Sequence, residues 1–212
     1  NANYGWILNI LSKLSTNGVA GFLLANGALS ADGTELAIRK KLIENDKVEA
    51  ILILPRDLFY TTNISVTLWV LNNNKKARVV TKNGQEIHYR DRENEILFMD
   101  LRQMGIPFEK KYVELDQETR DTATRVYHYW QQEGYENTYR DIPEFCKSVK
   151  REEIKNSSLI PSNYIEFVHK DSEIDFDKEM GKLADEMREI LKERESLDSQ
   201  LSSLFAEYGY KL

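Results

Sequence analysis

Side chains able to do chemistry are few in this chain, and their spacing narrows what they could do. Cys146 is the single cysteine, so neither an intramolecular disulfide nor a cysteine-based zinc site can form. Beside Phe145 in an aromatic stretch, it reads as a small buried hydrophobe rather than a nucleophile. His88, His128 and His169 are isolated and match neither HExxH nor HxxxH, so no metal site is expected. Gly18, Gly21, Gly27 and Gly33 fit neither GxGxxG nor GxxxxGK[ST], which makes them turn and close-packing residues rather than a phosphate cradle. The adjacent acids Glu152 and Glu153 sit in a charged surface segment and give no basis for paired-acid catalysis. These residues alone assign no catalytic, cofactor-binding or metal-binding role.

A free-standing nucleic-acid binder usually carries a basic patch, and the overall balance of charge gives none. Net charge is -6 over 212 residues, with 41% hydrophobic and 10% aromatic residues, enough to bury a real core. The compact basic run Arg39-Lys40-Lys41 and the smaller pair Lys75-Lys76 read as solvated faces. Contact with DNA would then rely on a partner. No apolar run approaches the roughly 20 residues of a membrane span, and the first residues lack a signal-peptide pattern. A soluble cytoplasmic protein is expected. The chain starts at Asn1 without methionine, which suggests truncation or processing.

The elements that must position any site follow from periodicity. Trp6, Ile7, Ile10, Leu11 and Leu14 predict an amphipathic helix over 4–14. After the Asn17-Gly18 turn, Val19 to Ala25 reads as a fully buried strand. Asp32 and Glu35 form a capping-box pattern for a helix running to about Glu44. Val48 to Leu54 is a second buried strand stopped by Pro55, Ile64 to Leu71 a third, and Glu95 to Asp100 a fourth after a hairpin-like polar stretch. This order is the tail of an α/β sheet that looks incomplete, because such strands need helices on both faces and further strands upstream. Beyond Leu115, a helix over 119–132 carries Ala123, Val126, Tyr127 and Trp130 on one face. Tyr135 to Phe145 is irregular, Val149 to Lys155 reads as a short helix, and Leu159 to Ile165 as extended. The resulting division is 1–115, 116–172 and 173–212.

The last element has the clearest pattern. Phe176, Met180, Leu183, Met187, Ile190, Arg194, Leu197, Leu201 and Leu204 alternate by four and three residues, a heptad seam interrupted only by Arg194. The seam runs roughly 40 Å at 1.5 Å per residue. It is narrower than the stripe of a helix packed on its own domain, which favours a coiled coil, with a partner or by self-association.

Several segments resemble the modification subunit of type I restriction-modification systems, an adenine-N6 DNA methyltransferase family. They are Asn1-Ala-Asn-Tyr-Gly-Trp-Ile-Leu-Asn-Ile-Leu, Asn17 to Ser30, Val48 to Leu71, Ile96 to Arg102, Phe145 to Ser148 and Leu159 to Ile165, in the family's order and covering most of residues 1–172. The resemblance implies the C-terminal part of a doubly wound, S-adenosylmethionine-dependent methyltransferase sheet, followed by a helical region and a C-terminal coiled-coil helix. The family's glycine-rich cofactor loop and its Asn-Pro-Pro-Phe motif do not occur in these residues. The chain alone is therefore expected neither to bind S-adenosylmethionine nor to methylate DNA.

Methylation of an adenine amine requires the base to leave the duplex and rest against aromatic faces. The loop Pro55 to Asn63 resembles the family segment that lines this base pocket. It makes Phe59 or Tyr60 the candidate stacking ring, with Thr61 and Asn63 as polar contacts. The resemblance also implies specificity and restriction subunits as partners, with DNA reached through the complex. The seam residues Met180, Leu183, Met187, Ile190, Leu197, Leu201 and Leu204 would dock on the specificity subunit. Two other readings stay open: a non-catalytic interaction protein keeping the sheet as a scaffold for its coiled coil, and an unrelated α/β enzyme.

Overall fold

In a computed structural model of the chain, residues 2–134, 136, 138–168 and 175–210 are described. His169, part of the irregular 135–145 stretch and the start of the 173–212 segment lie outside them. The chain falls into two units, Asn1–Val168 and His169–Leu212.

Alternating and continuous apolar runs build the sheet of the first unit. Its strands are β1 (Val19–Ala25), β2 (Val48–Ile53), β3 (Val66–Asn72), β6 (Glu95–Asp100) and β9 (Cys146–Lys150), in the order β1-β3-β2-β6-β9. β3 runs antiparallel to both β1 and β2, β2 is parallel to β6, and β9 is antiparallel to β6. β1, β2 and β6 therefore share one direction, and the sheet is mixed. Two small hairpins complete the strands: β4 (Arg78–Lys82) with β5 (Gln85–Tyr89), and β7 (Ile106–Phe108) with β8 (Tyr112–Glu114).

Each face of the sheet has its own core, as period-two alternation requires. On one face, α1 (Asn3–Lys13) and α2 (Thr34–Glu44) bury Tyr4, Ile7, Leu42 and Ile43 against Ile51, Trp69, Leu71, Phe98 and Val149. On the other, α3 (Gln117–Gln131) sets Ala123 and Trp130 against Ala50, Leu52, Leu97, Met99 and Cys146. Asp116 caps α3 by accepting the Thr119 amide at 2.8 Å.

Tertiary context overrides the local sequence in several places. β1 is an edge strand with one face open, not a buried one: Val19 is 49% and Leu23 45% exposed, while Phe22 and Leu24 pack inward. The Asp32/Glu35 capping box does not form, because Gly33 at φ 65° takes the cap position and starts α2 one residue later. Val149 and Lys150 are strand, not helix, since Val149 pairs with Ile96 in the sheet, and a short 3-10 turn follows at Arg151–Glu153. The Leu159–Ile165 segment contains a 3-10 turn at Pro161–Asn163 rather than being extended throughout.

Two cations read as solvated are buried. Arg39 donates to the Ser157 carbonyl at 2.6 Å and the Ala31 carbonyl at 2.8 Å, tying α2 to the segment after β9. Lys75 donates to Asp46 at 2.6 Å and to the Val48 carbonyl at 3.1 Å, and burial pulls its pKa below the usual lysine range despite Asp46.

A bulge at Val48–Ala50 shapes the middle of the sheet. The extra residue lets Val48 join the α1/α2 core and turns Glu49 toward α3. Glu49, wholly buried, accepts from Arg92 Nε at 3.2 Å, from Gln131 Nε2 at 2.7 Å and from Asn72 Nδ2. Arg92, also wholly buried, donates to the Arg90 carbonyl at 2.9 Å and lies over the Tyr89 and Trp130 rings. One carboxylate thus fastens the β4–β5 hairpin and the end of α3 to the central strand.

The second unit contains α4 (Phe176–Glu207), a 32-residue helix capped by Asp175, with no buried residue. None of the described helices is long and apolar enough to cross a membrane.

Candidate functional site

The loop between β2 and β3 leaves the sheet at the buried Pro55 and returns at Ser65. It is folded on itself: the Thr62 amide donates to the Phe59 carbonyl at 3.1 Å, and Arg56 Nε donates to the Asn63 carbonyl at 3.3 Å. Asp57 takes a left-handed conformation at φ 56°, which turns the chain here.

These bonds sort the candidate residues by direction. Phe59 is half-buried and packs on the α3-side core with Leu58. Tyr60 is 71% exposed, and Thr61 and Asn63 are exposed beside it. Phe59, Tyr60, Thr61 and Asn63 all line one small cavity of about 130 Å³, together with Asp57, Thr62, Lys111 and Tyr112.

Lys111 and Tyr112 were not singled out from sequence. They belong to the β7–β8 hairpin, whose Val113 amide donates to the Asp57 carbonyl at 3.1 Å. Tyr112 meets Tyr60 edge to face, with centroids 4.8 Å apart and planes at 82°. The available signal was weak: two three-residue β-prone runs around Glu109-Lys110-Lys111, with Pro107 arguing against a strand.

A larger groove of about 330 Å³ lies between the sheet and α3. Leu52, Leu54, Leu68, Val70, Leu101, Leu115, Ala123 and Tyr127 line it, with Thr119, Arg120 and Thr124 as the polar members. It has no carboxylate for ribose hydroxyls or an ammonium group, so it does not fit S-adenosylmethionine. Saturating S-adenosylmethionine is expected to leave the Tm of the 212-residue chain unchanged in a thermal-shift titration. A saturable rise would reveal a cofactor site in these residues.

The remaining reactive groups are quiet. Burial pushes the Cys146 thiol up to about 11, so the thiolate is scarce at neutral pH. Among the described residues, no cluster of three or more His, Cys, Asp or Glu is placed to hold a metal.

Met180, Leu183, Met187 and Ile190 form an apolar line on α4, from 48% exposed at Met180 to 60% at Ile190, which Leu197, Leu201 and Leu204 resume beyond Arg194. Arg194 pairs with Asp198 one turn on at 3.6 Å, so its charge is partly met within the helix.

The fold aligns with that of methyltransferase subunits of known structure. The methyltransferase subunit of a type I restriction-modification system from Streptococcus thermophilus aligns at a TM-score of 0.63 and 21% identity, covering 78% of this chain and 31% of that one. The EcoKI M protein aligns at 0.54 and 19%, covering 75% and 37%. Residues 1–173 match the N-6 DNA Methylase family, and the chain belongs to that family. Among curated relatives, the HindI methylase subunit of Haemophilus influenzae is 31% identical over 100% of this chain and 44% of its own length. The MjaIX methylase subunit of Methanocaldococcus jannaschii is 28% identical over 99% and 36%. The chain thus spans less than half the length of these relatives.

Proposed function

We propose that this chain is part of the adenine-N6 DNA methyltransferase subunit of a type I restriction-modification system. In this reading residues 1–115 are the C-terminal part of a doubly wound catalytic domain, 116–172 a connecting region and 173–212 a coiled-coil helix. The loop Pro55–Asn63 forms one wall of the pocket for the flipped adenine, and the helix docks on the specificity subunit. S-adenosylmethionine, bound by the full-length subunit, supplies the methyl group. The residues here contribute shape and stacking.

The observation that carries the reading is Tyr60: an exposed ring held at the mouth of a small cavity among hydroxyl and carboxamide side chains, on a chain of the N-6 DNA Methylase family. An exposed tyrosine fixed by loop hydrogen bonds can take a purine face without reorganising, while Thr61 and Asn63 can bond to the base edge. Phe59, packed inward, supports the loop from beneath.

The test uses the parent subunit assembled with its specificity subunit, and measures methyl transfer from labelled S-adenosylmethionine to DNA. Stacking is worth about 1–3 kcal/mol per base, so Tyr60→Ala is expected to reduce transfer about tenfold or more. Transfer unchanged by Tyr60→Ala rejects the pocket. Assembly with no transfer by the unsubstituted complex would favour the interaction-scaffold reading instead.

A further inference from the structure

We infer that the β7–β8 hairpin is the second half of this nucleotide site: Tyr112 positions the Tyr60 ring, and Lys111 meets the phosphate of an unpaired nucleotide. The inference rests on the reading of the Pro55–Asn63 loop as a base-binding wall.

The hairpin is held against the loop by more than one contact. The Val113 amide reaches the Asp57 carbonyl at 3.1 Å, at the residue where the loop turns through positive φ. Gly105 leads into β7 so close to its neighbours that a Cβ there would lie 2.1 Å from Val113 Cγ1 and 3.2 Å from Pro55. Glycine here leaves room for Val113 across the hairpin and lets the hairpin approach Pro55 at the start of the loop. The hairpin turn, with Glu109 at φ 54°, then brings Lys111 to the rim.

The geometry assigns the roles. At 4.8 Å and 82°, Tyr112 and Tyr60 leave no gap for a base between them, so Tyr112 is not itself a stacking surface for that base. It braces one side of Tyr60, and the ring's remaining exposed face is the one a base can cover. Lys111 Nζ lies 5.7 Å from the Tyr112 ring centroid, within cation–π range, which holds the ammonium beside the cavity. The hydroxyls of Thr61 and Thr62 line the same cavity. Lys111 and Arg120 are the cations lining the two cavities beside the loop, with Asp57 and Glu114 as the acids. A base on Tyr60 brings its own phosphate to that rim, which is the chemistry a lysine there would meet.

The experiment titrates the 212-residue chain into a short single-stranded DNA carrying one 2-aminopurine, whose fluorescence is quenched on stacking. Saturable quenching is expected, and Tyr60→Ala removes it. Tyr112→Ala weakens binding about fivefold or more, while Tyr112→Phe restores it, because the ring and not the hydroxyl packs against Tyr60. Lys111→Ala lowers the salt dependence of binding by about one phosphate contact, roughly 0.7 in the log–log slope. Circular dichroism checks that each variant is folded. If Tyr60→Ala abolishes quenching but Tyr112→Ala and Lys111→Ala bind like the unsubstituted chain, the hairpin has no such role and the loop reading survives. If Tyr60→Ala changes nothing, or the unsubstituted chain gives no saturable quenching, both are overturned.

Discussion

Removing residues 173–212 is expected to abolish the proposed capture of the chain by a specificity subunit and to leave the cooperative unfolding of the first unit intact. This is the largest expected effect on assembly, and it follows from what α4 leaves exposed. The helix is 32 residues long, well beyond the length at which isolated helices become marginal, yet no residue on it is buried. Its seam places Met180, Leu183, Met187, Ile190, Leu197, Leu201 and Leu204 in one line, all about half exposed. Fully burying a side chain of this size contributes about 1.5–3 kcal/mol, so covering several outweighs the ordering penalty of association. The Arg194–Asp198 pair is surface-exposed and contributes little, and its place in the seam suits register rather than strength. A pull-down with tagged specificity subunit checks the deletion. The double substitution Ile190→Glu and Leu197→Glu gives the same loss without shortening the chain. Retained capture by both variants refutes the docking role. A concentration-dependent dimer in sedimentation that the double substitution dissolves, with capture retained, assigns the seam to self-association instead.

Arg92→Ala destabilises the first unit by about 3–5 kcal/mol, because it strands the buried Glu49 carboxylate without its cation. Glu49→Ala does the same to the Arg92 guanidinium, which lies over the Tyr89 and Trp130 rings. At 2–4 °C per kcal/mol for a unit of this size, each single change lowers Tm by roughly 10 °C. Glu49→Leu combined with Arg92→Met removes both charges and recovers much of the loss, since an apolar pair of similar volume needs no desolvation. Denaturant unfolding of the three variants reads the effect. Single losses below about 1 kcal/mol would mean that Gln131 and Asn72 suffice to satisfy Glu49. Because Glu49 holds the hairpin and the end of α3, hydrogen exchange in Gln85–Tyr89 should rise together in both single variants.

The sequence pattern reveals those parts of the fold that bury a regular face. The spacing of Trp6 to Leu14, the unbroken run from Val48 to Ile53 and the apolar run ending at Leu71 became a helix and two strands. Trp6, however, is exposed rather than packed, and the third strand starts at Val66, alternates in burial and leaves Ile64 exposed. What escaped depends on partners far along the chain. Glu49 reads as one polar residue in a buried strand, and its role needs Arg92 and Gln131, the latter 82 positions away. β9 is five residues long and carries two lysines, so only pairing with β6 makes it a strand. Arg39 sits in a basic run that looks solvated, until the Ser157 carbonyl 118 residues on explains its burial. At the site, loop 55–63 could be found by resemblance, but Tyr112 could not. Its hairpin is too short to announce itself, and the contact joins Tyr112 to Tyr60, a residue 52 positions earlier in the chain.

β1 has a further consequence, which concerns solubility. Among the described residues no strand pairs with its outer edge, and its sequence Val-Ala-Gly-Phe-Leu-Leu-Ala contains no charge and no proline. Natural edges are normally blunted by lysine, proline or a bulge, and an apolar edge without them is a template for added strands. Kept by itself at high concentration, the chain should therefore cross-pair through Val19–Ala25 and grow into insoluble polymer. A gatekeeping charge at the outward-facing Leu23 would interrupt that growth while leaving Phe22 and Leu24 in the core.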